Sequence, residues 1–382
     1  MTEREAKIAF NMIPTVGAVT VERLAREAGG SVAEAYERYP QKQDWEGREP
    51  AWEREIERAE KMNIRIVTLD DEDYPPQLRG IASPPLALYV VGDSKVLSLA
   101  GVSLVGTRAA TAYGRETAER FAQGLAQRGW AVFSGLARGI DAAAHRGALS
   151  GEGKTAGILG GALDKFYPME NRDLARKMID SGGCVVSEFP LGRSPDPQTF
   201  PQRNRVVSGL SRGVVAVECP LRSGTLITCM RALEQGRPVM AVPGRIDWKV
   251  AEGCLHLIRE GARMVTSVDD IVEELSPVGR RVEFPRQDSA SSKTAVISPA
   301  KTAARIQKVP EMAFSMEEAA IIRGVPEGGT TIDVLARTTG YAASRVNALL
   351  VGLRLKGRIR FLPGNRVSLA KKICNASLNS GV

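Results

Sequence analysis

The chain has 382 residues, with 43% hydrophobic and 25% charged residues, enough for two or three domains of ordinary globular composition. Its net charge of +8 is unevenly placed: the balance is −5 over residues 1–80, +3 over 81–276 and +10 over 277–382. No apolar run approaches the ~20 residues needed to cross a bilayer, Met1-Thr-Glu-Arg-Glu-Ala-Lys7 lacks a signal-peptide pattern, and two histidines with five scattered cysteines exclude a His-rich or Cys-based metal centre, so a cytoplasmic protein without a metal is expected.

In chain order, residues 1–62 read as an acidic helical module. Helix, glycine turn and helix around Gly17 outline a unit related to helix-hairpin-helix modules, whose turn amides can grip DNA phosphate. Ala18 stands where a second turn glycine is expected, and the charge is negative, which favours packing or protein contact over a DNA grip. Ile64–Leu69 and the stretch from Ser83 to Gly92 then read as strands. From Gly101 onward short apolar runs alternate with helical patterns, the signature of a parallel, doubly wound α/β sheet. The strand candidates are Val102–Val105, Trp130–Phe133, Ala156–Leu159, Cys184–Ser187, Val214–Glu218 and Val239–Val242. Helical patterns span Glu116–Arg128, Ile140–Leu149, Asn171–Ile179, Arg203–Leu210 and Gly224–Gln235, and Ala251–Gly261 with Val268–Leu275 close the domain at residues 63–275. Residues 276–310 lose aliphatic periodicity and gain Pro, Ser, Thr, Lys and Arg, as a flexible basic linker does. Residues 311–370 give three helical segments and a hairpin, the outline of a winged helix, and residues 371–382 read as a disordered tail.

The loops at the carboxyl edge of the sheet each carry a cation: Arg108, Arg138, Lys165, Arg193 with Arg203 and Arg205, Arg222, and Arg245. That edge is where such folds bind ligands, and a glycine loop at a helix start favours anions. The same loops carry Tyr113, Phe166, Tyr167, Phe189 and Phe200. Cations for phosphates and rings for bases are what single-stranded nucleic acid requires, and the glycines of Gly101–His145 are expected to let its backbone approach. Tyr167 and Phe189, each before a proline, read equally well as plugs of the loop bases.

A nucleotide enzyme fits less well. Val105-Gly-Thr-Arg108 is not a dinucleotide fingerprint, and Gly151-Glu-Gly-Lys-Thr155 lacks the first glycine of a phosphate-binding loop and precedes a strand. Ser223-Gly-Thr-Leu-Ile-Thr228 is similar to the loop of nucleotide phosphoribohydrolases but has Thr228 where those need a glutamate. Asp141 and His145, at i and i+4, are expected to hydrogen-bond each other and brace the loop; Glu188 and Glu218 are the other titratable groups. No catalytic residue and no cofactor are assigned.

One further pattern is specific. Tyr74-Pro75 with Pro84-Pro85, Val105-Gly-Thr-Arg108 with Tyr113-Gly114, Ser134-Gly-Leu-Ala-Arg-Gly-Ile-Asp141 with Ala144-His145, Tyr167-Pro168, Ser187-Glu188, Phe200-Pro-Gln-Arg-Asn-Arg205, Ser223-Gly-Thr-Leu-Ile-Thr228 and Val242-Pro-Gly244 occur in this order. Together they resemble the DNA-processing protein A family, DprA/Smf, over Ile64–Leu275. The resemblance implies a Rossmann-like, mostly parallel sheet with helices on both faces, an N-terminal SAM- or HhH-like module and a C-terminal winged helix. It implies a non-catalytic protein that binds and protects single-stranded DNA and loads RecA in natural transformation and recombination. Carried over by position, Gly106, Thr107, Arg108, Arg138, Phe200, Arg203, Asn204, Arg205, Ser223, Gly224 and Thr225 would line the DNA site, Arg108 on phosphate and Phe200 stacking. Family members dimerise, which points to Leu255, His256 and Ile258, although Leu255-His256 departs from the usual asparagine, as Cys229 departs from the usual alanine. Ser344, Arg345, Asn347 and Arg354 on the third winged helix segment are compatible with a second DNA contact; a protein contact is the other possibility. The rival functions are a nucleotide or nucleotide-sugar hydrolase at the same edge and a transcription regulator acting through residues 311–369.

Overall fold

A computed structural model describes residues 1–276 except 41 and 45, and residues 315–370 except 327–328 and 363–365. The expected linker beyond Ser276 and the expected tail lie outside the described residues.

Four helices open the chain: α1 (Glu3–Asn11), α2 (Ala18–Glu27), α3 (Val32–Arg38) and α4 (Trp52–Lys61). Thr2 and Glu5 cap α1 reciprocally. Glu3 then reaches across to α3, accepting from the Ser31 hydroxyl at 2.6 Å and the Val32 amide at 2.8 Å. The module lies on the first two strands, β1 (Arg65–Thr68) and β2 (Ala87–Gly92), which flank the short α5 (Pro76–Arg79). Arg4 donates to the Ile66 carbonyl at 2.8 Å, and Asn11 donates to the Glu188 carbonyl at 3.0 Å.

The main alternation follows: β3 (Gly101–Val105), α6 (Ala112–Gln127), β4 (Ala131–Ser134), α7 (Ile140–Ser150), β5 (Thr155–Ile158), α8 (Arg172–Asp180) and β6 (Cys184–Ser187). It continues through α9 (Thr199–Leu210), β7 (Gly213–Ala216), α10 (Gly224–Glu234), β8 (Val239–Ala241), α11 (Glu252–Arg259), β9 (Arg263–Met264) and α12 (Val268–Leu275). The sheet order is β1-β2-β6-β5-β4-β3-β7-β8-β9, antiparallel in the β1–β2 and β2–β6 pairs and parallel from β6 to β9. The parallel strands carry near-continuous apolar runs because both faces are covered. Val102, Leu104, Val132 and Val215 pack under α6, α7 and α12, while Phe133, Val214 and Ala216 pack under α9, α10 and α11.

The strands from β3 to β6 build outward in one direction, and α9 then carries the chain back so that β7 pairs on the other side of β3. The β3 and β7 loops therefore part at a topological switch point, the crevice where doubly wound sheets hold ligands.

The C-terminal unit comprises α13 (Met316–Gly324), β10 (Thr330–Thr331), α14 (Ile332–Thr339), α15 (Ala343–Leu355), β11 (Ile359–Leu362) and β12 (Arg366–Leu369). It is a winged helix with sheet order β10-β12-β11. Thr330–Thr331 pairs with β12, and Thr331 also caps α14, its hydroxyl accepting from the Val334 amide at 3.4 Å; two residues are too short to show a strand period. The helix α15 does not stand free. It packs on α10, buries Val351 in the core of the sheet domain, and ion-pairs Arg354 with the buried Glu260 of α11. Lys356 lies 3.3 Å from Glu234 of α10 and 2.7 Å from Glu318. Arg345, expected at DNA, pairs with Glu317, and Asn347 lines the groove between the two units. Read from sequence as a contact for DNA or for protein, α15 lies against the sheet domain. Its cations are held by carboxylates of the same chain.

Candidate nucleic-acid interface

The switch point is tied shut at its base and open above. The Thr107 amide donates to the Glu218 carbonyl at 2.7 Å, joining the β3 and β7 loops. Glu218 is buried, and its carboxylate accepts from the Thr111 hydroxyl at 2.5 Å and the Thr111 amide at 2.9 Å. Thr111 in turn caps α6 through the Gly114 amide at 3.1 Å. Glu218 thus fixes the direction of the glycine loop, and Arg108 leaves that loop into solvent. Its guanidinium sits 4.7 Å from the centre of the Phe200 ring, and Phe200 lies 6.3 Å from the ring of Tyr167, which is 42% exposed.

A cleft of about 340 Å³ runs from these groups to the start of α10, lined by Gly106, Thr107, Arg108, Gly135, Asp141, Phe200, Arg203, Asn204, Arg222, Ser223, Gly224, Thr225 and Thr228. The α10 N-terminus opens into it with no side-chain cap, so its first amides and the positive helix end are available to an anion. Asn204 and Thr228 hold this turn by donating to the Gly224 carbonyl at 3.3 Å and 3.4 Å.

Beneath the cleft lies a buried charge pair. Arg203 is only 5% exposed and donates to the Ile158 carbonyl at 2.6 Å. Burial lowers its pKa to about 10, against the pull of Asp141, and the nearby Arg108 charge lowers it further. Burial raises the Asp141 carboxyl, opposed by Arg203 and by the amides of Ala137 and Gly135. Arg203 remains charged at neutral pH, so the floor of the cleft is positive where Asp141 does not offset it.

The glycines serve this packing more than they serve a ligand, which corrects one expectation. A side chain at Gly135 would overlap the Arg203 guanidinium, and one at Gly106 would overlap Ile140. A side chain at Gly160, which the sequence did not single out, would come within 2.7 Å of the Phe200 ring. Of the glycines in the cleft, Gly224 alone faces open space.

The expected Asp141–His145 bond is also absent. Asp141 turns to the Gly135 amide at 3.1 Å, while His145 Nδ1 lies 2.7 Å from the Thr155 hydroxyl. Because that hydroxyl donates to the Val132 carbonyl at 2.7 Å, Nδ1 carries the proton and Nε2 is left buried without a partner. Burial, with Arg146 and Arg203, brings the His145 pKa down to about 3. At the i+4 spacing the side chains share a helix face, but one is drawn toward the loop and the other toward the sheet.

The remaining expected cations divide. Arg205, two residues from Arg203, points away from the cleft, ion-paired with Glu188 and donating to the Ser83 carbonyl at 2.5 Å. Burial raises the Glu188 carboxyl and Arg205 opposes it. Arg138 is exposed and bidentate on Glu170 at 2.7 and 2.8 Å, Arg193 pairs with Asp196, and Arg245 pairs with Asp247. Arg108, Arg222 and Lys165 have no carboxylate partner among the described residues. Phe189 is buried and plugs its loop, whereas Tyr167 is not. Leu255, His256 and Ile258 are half-buried on α11, with Ile258 against the core and Glu260, one turn on from His256, engaged by Arg354.

The fold is that of a Rossmann-like α/β domain joined to a winged helix, with a basic and aromatic crevice at its switch point. Residues 65–276 match the family of the DNA recombination-mediator protein A, and residues 307–365 match the DprA winged helix domain. The chain belongs to this DprA/Smf family. It is 37% identical to protein Smf of Escherichia coli over 82% of this chain and 79% of that one, and 44% identical to DNA processing protein DprA of Streptococcus pneumoniae over 53% and 72%. The crystal structure of the Streptococcus pneumoniae protein superposes with a TM-score of 0.58 at 34% identity, covering 72% of this chain and 98% of that one. DNA processing protein A of Helicobacter pylori, described with a unique single-stranded DNA binding mode, superposes at 0.50 and 29% identity over 55% and 95%.

Proposed function

We propose that this chain is a recombination mediator that binds single-stranded DNA in the β3–β7 crevice, protects it and loads a RecA recombinase onto it during DNA uptake and recombination, without catalysis of its own. The observation that carries this is Arg108, with no carboxylate partner among the described residues, laid over Phe200 beside the uncapped start of α10. A phosphate would sit between the Arg108 guanidinium and the α10 amides, and a base would stack on Phe200 or Tyr167. Gly106, Thr107, Asn204, Ser223, Gly224 and Thr225 shape that seat, and Arg203 supplies charge from below. Arg205 holds the fold, and Arg138 stands at the rim. The relative whose structure is described with single-stranded DNA shares the fold at 29% identity. Assembly as a homodimer through Leu255, His256 and Ile258 and residence in the cytoplasm belong to the same proposal.

Four titratable groups near the crevice are each committed elsewhere: Asp141 to Gly135, His145 to Thr155, Glu188 to Arg205 and Glu218 to Thr111. These contacts give each of the four a role in holding the loops, which favours the mediator reading over the hydrolase alternative. Fluorescence anisotropy tests the proposal. Labelled oligothymidine should bind more tightly than a duplex of equal length, and log affinity should fall linearly with log salt as phosphate contacts release counterions. Equal affinity for both forms, or binding indifferent to salt, would refute it.

A further inference from the structure

The crevice does not use every accessible ring and apolar side chain at this edge of the sheet. Ile246, at the tip of the loop between β8 and α11, is 89% exposed, and Leu221 in the β7 loop is 48% exposed. Tyr113, at the start of α6, is 43% exposed, and its hydroxyl donates to the Pro243 carbonyl at 3.3 Å, which ties the ring to the root of the β8–α11 loop. Within that loop the Arg245 guanidinium lies 5.3 Å from the centre of the Trp248 ring. Neither Arg222 in the β7 loop nor Lys249 in the β8–α11 loop has a carboxylate partner among the described residues.

We propose that the β8–α11 loop, with Ile246, Trp248 and Tyr113, is a second stacking platform that extends the single-strand track beyond the α10 N-terminus. This rests on the crevice binding single-stranded DNA. The sheet order puts β7 beside β3 and β8 beside β7, so at the ~4.8 Å spacing of neighbouring strands the β8 loop lies roughly 10 Å along the edge from the Arg108 loop. Arg222 stands between the two, and a short run of nucleotides would bridge them. The order of groups along the edge is then ring, cation, cation, ring: Phe200, Arg108, Arg222, Trp248. The Arg245–Asp247 pair is exposed on both sides, so it contributes little and can be exchanged for a phosphate. A single apolar tip flanked by cations suits a base more than a protein, because protein contacts bury contiguous apolar patches with charge excluded from the centre. Duplex DNA keeps its bases stacked and offers none to such a tip.

The full chain tests this with two oligothymidines: the shortest one that the wild type binds, and one several nucleotides longer. We expect Trp248→Ala to weaken the longer oligonucleotide about 5- to 150-fold, the range that loss of one stacked base gives, and to leave the shortest unchanged. Ile246→Asp, at a position too exposed to matter for folding, should do the same by repelling phosphate. Arg108→Ala should weaken both lengths equally. If the two loop variants bind the longer strand like the wild type while Arg108→Ala does not, the track ends at α10 and the loop is a protein contact. If the wild type binds neither oligonucleotide, the crevice reading and its extension fall together.

Discussion

Arg203 and Arg205 stand two residues apart on one helix, yet one underlies the crevice and the other braces the β1–β2 edge against Glu188. Sequence shows both as cations at a loop end, and nothing local separates them; the distinction arises because α9 packs over β3, β4 and β5 and also against α5. His145 is a similar case, since its i+4 partner is visible in sequence and Thr155, on a strand, is not. Its burial has a consequence for acid stability. The unfolded chain takes up a proton on this ring below its ordinary pKa of 6.5, whereas the native ring stays neutral down to about 3. The stabilisation is complete above pH 6.5 and is lost as pH falls through that window, by up to about 1.4 kcal/mol per pH unit. Denaturant titrations of the wild type and His145→Asn between pH 7 and 5 should show a flatter dependence in the variant, because an amide can donate to Thr155 without titrating; parallel curves would mean that His145 is protonated in the native state.

At the level of elements, the parallel strands and their helices were readable because two-sided burial writes continuous apolar runs between amphipathic helices. The two-residue strands β9 and β10 carry too few positions for any period. The docking of α15 was unreadable for another reason: Val351 and Arg354 look like an ordinary core residue and an ordinary surface cation until α10 and α11 are placed beside them. In the crevice, the cations and rings are evident in sequence, but Gly106 and Gly135, which read as ligand space, make room for Ile140 and Arg203. Docking through α15 leads to a prediction for this element. Glu260→Lys should repel Arg354 and leave Val351 and the Lys356–Glu234 pair as the ties, so the winged helix should detach more readily and the radius of gyration in solution scattering should rise. An unchanged radius would show that apolar packing with α10 is sufficient.

For the whole molecule, three parts meet on one sheet. The N-terminal helices cover β1 and β2, the winged helix covers α10 and α11, and among the described residues nothing covers the carboxyl edge from β5 to β8. Covering the two flanks while leaving that edge bare is consistent with a long, thin ligand laid across the strands. The most direct test compares Arg108→Ala with Arg205→Ala in the full chain, measuring single-strand affinity and melting temperature together. We expect Arg108→Ala to lose about 10-fold or more in affinity, as removal of a charge-assisted contact does, with its melting temperature unchanged. Arg205→Ala should lose about 3 kcal/mol of stability by leaving Glu188 buried without its partner, yet bind the strand within twofold of the wild type once folded. Equal losses of affinity in the two variants, or a loss only in Arg205→Ala, would contradict the placement of the DNA in the β3–β7 crevice.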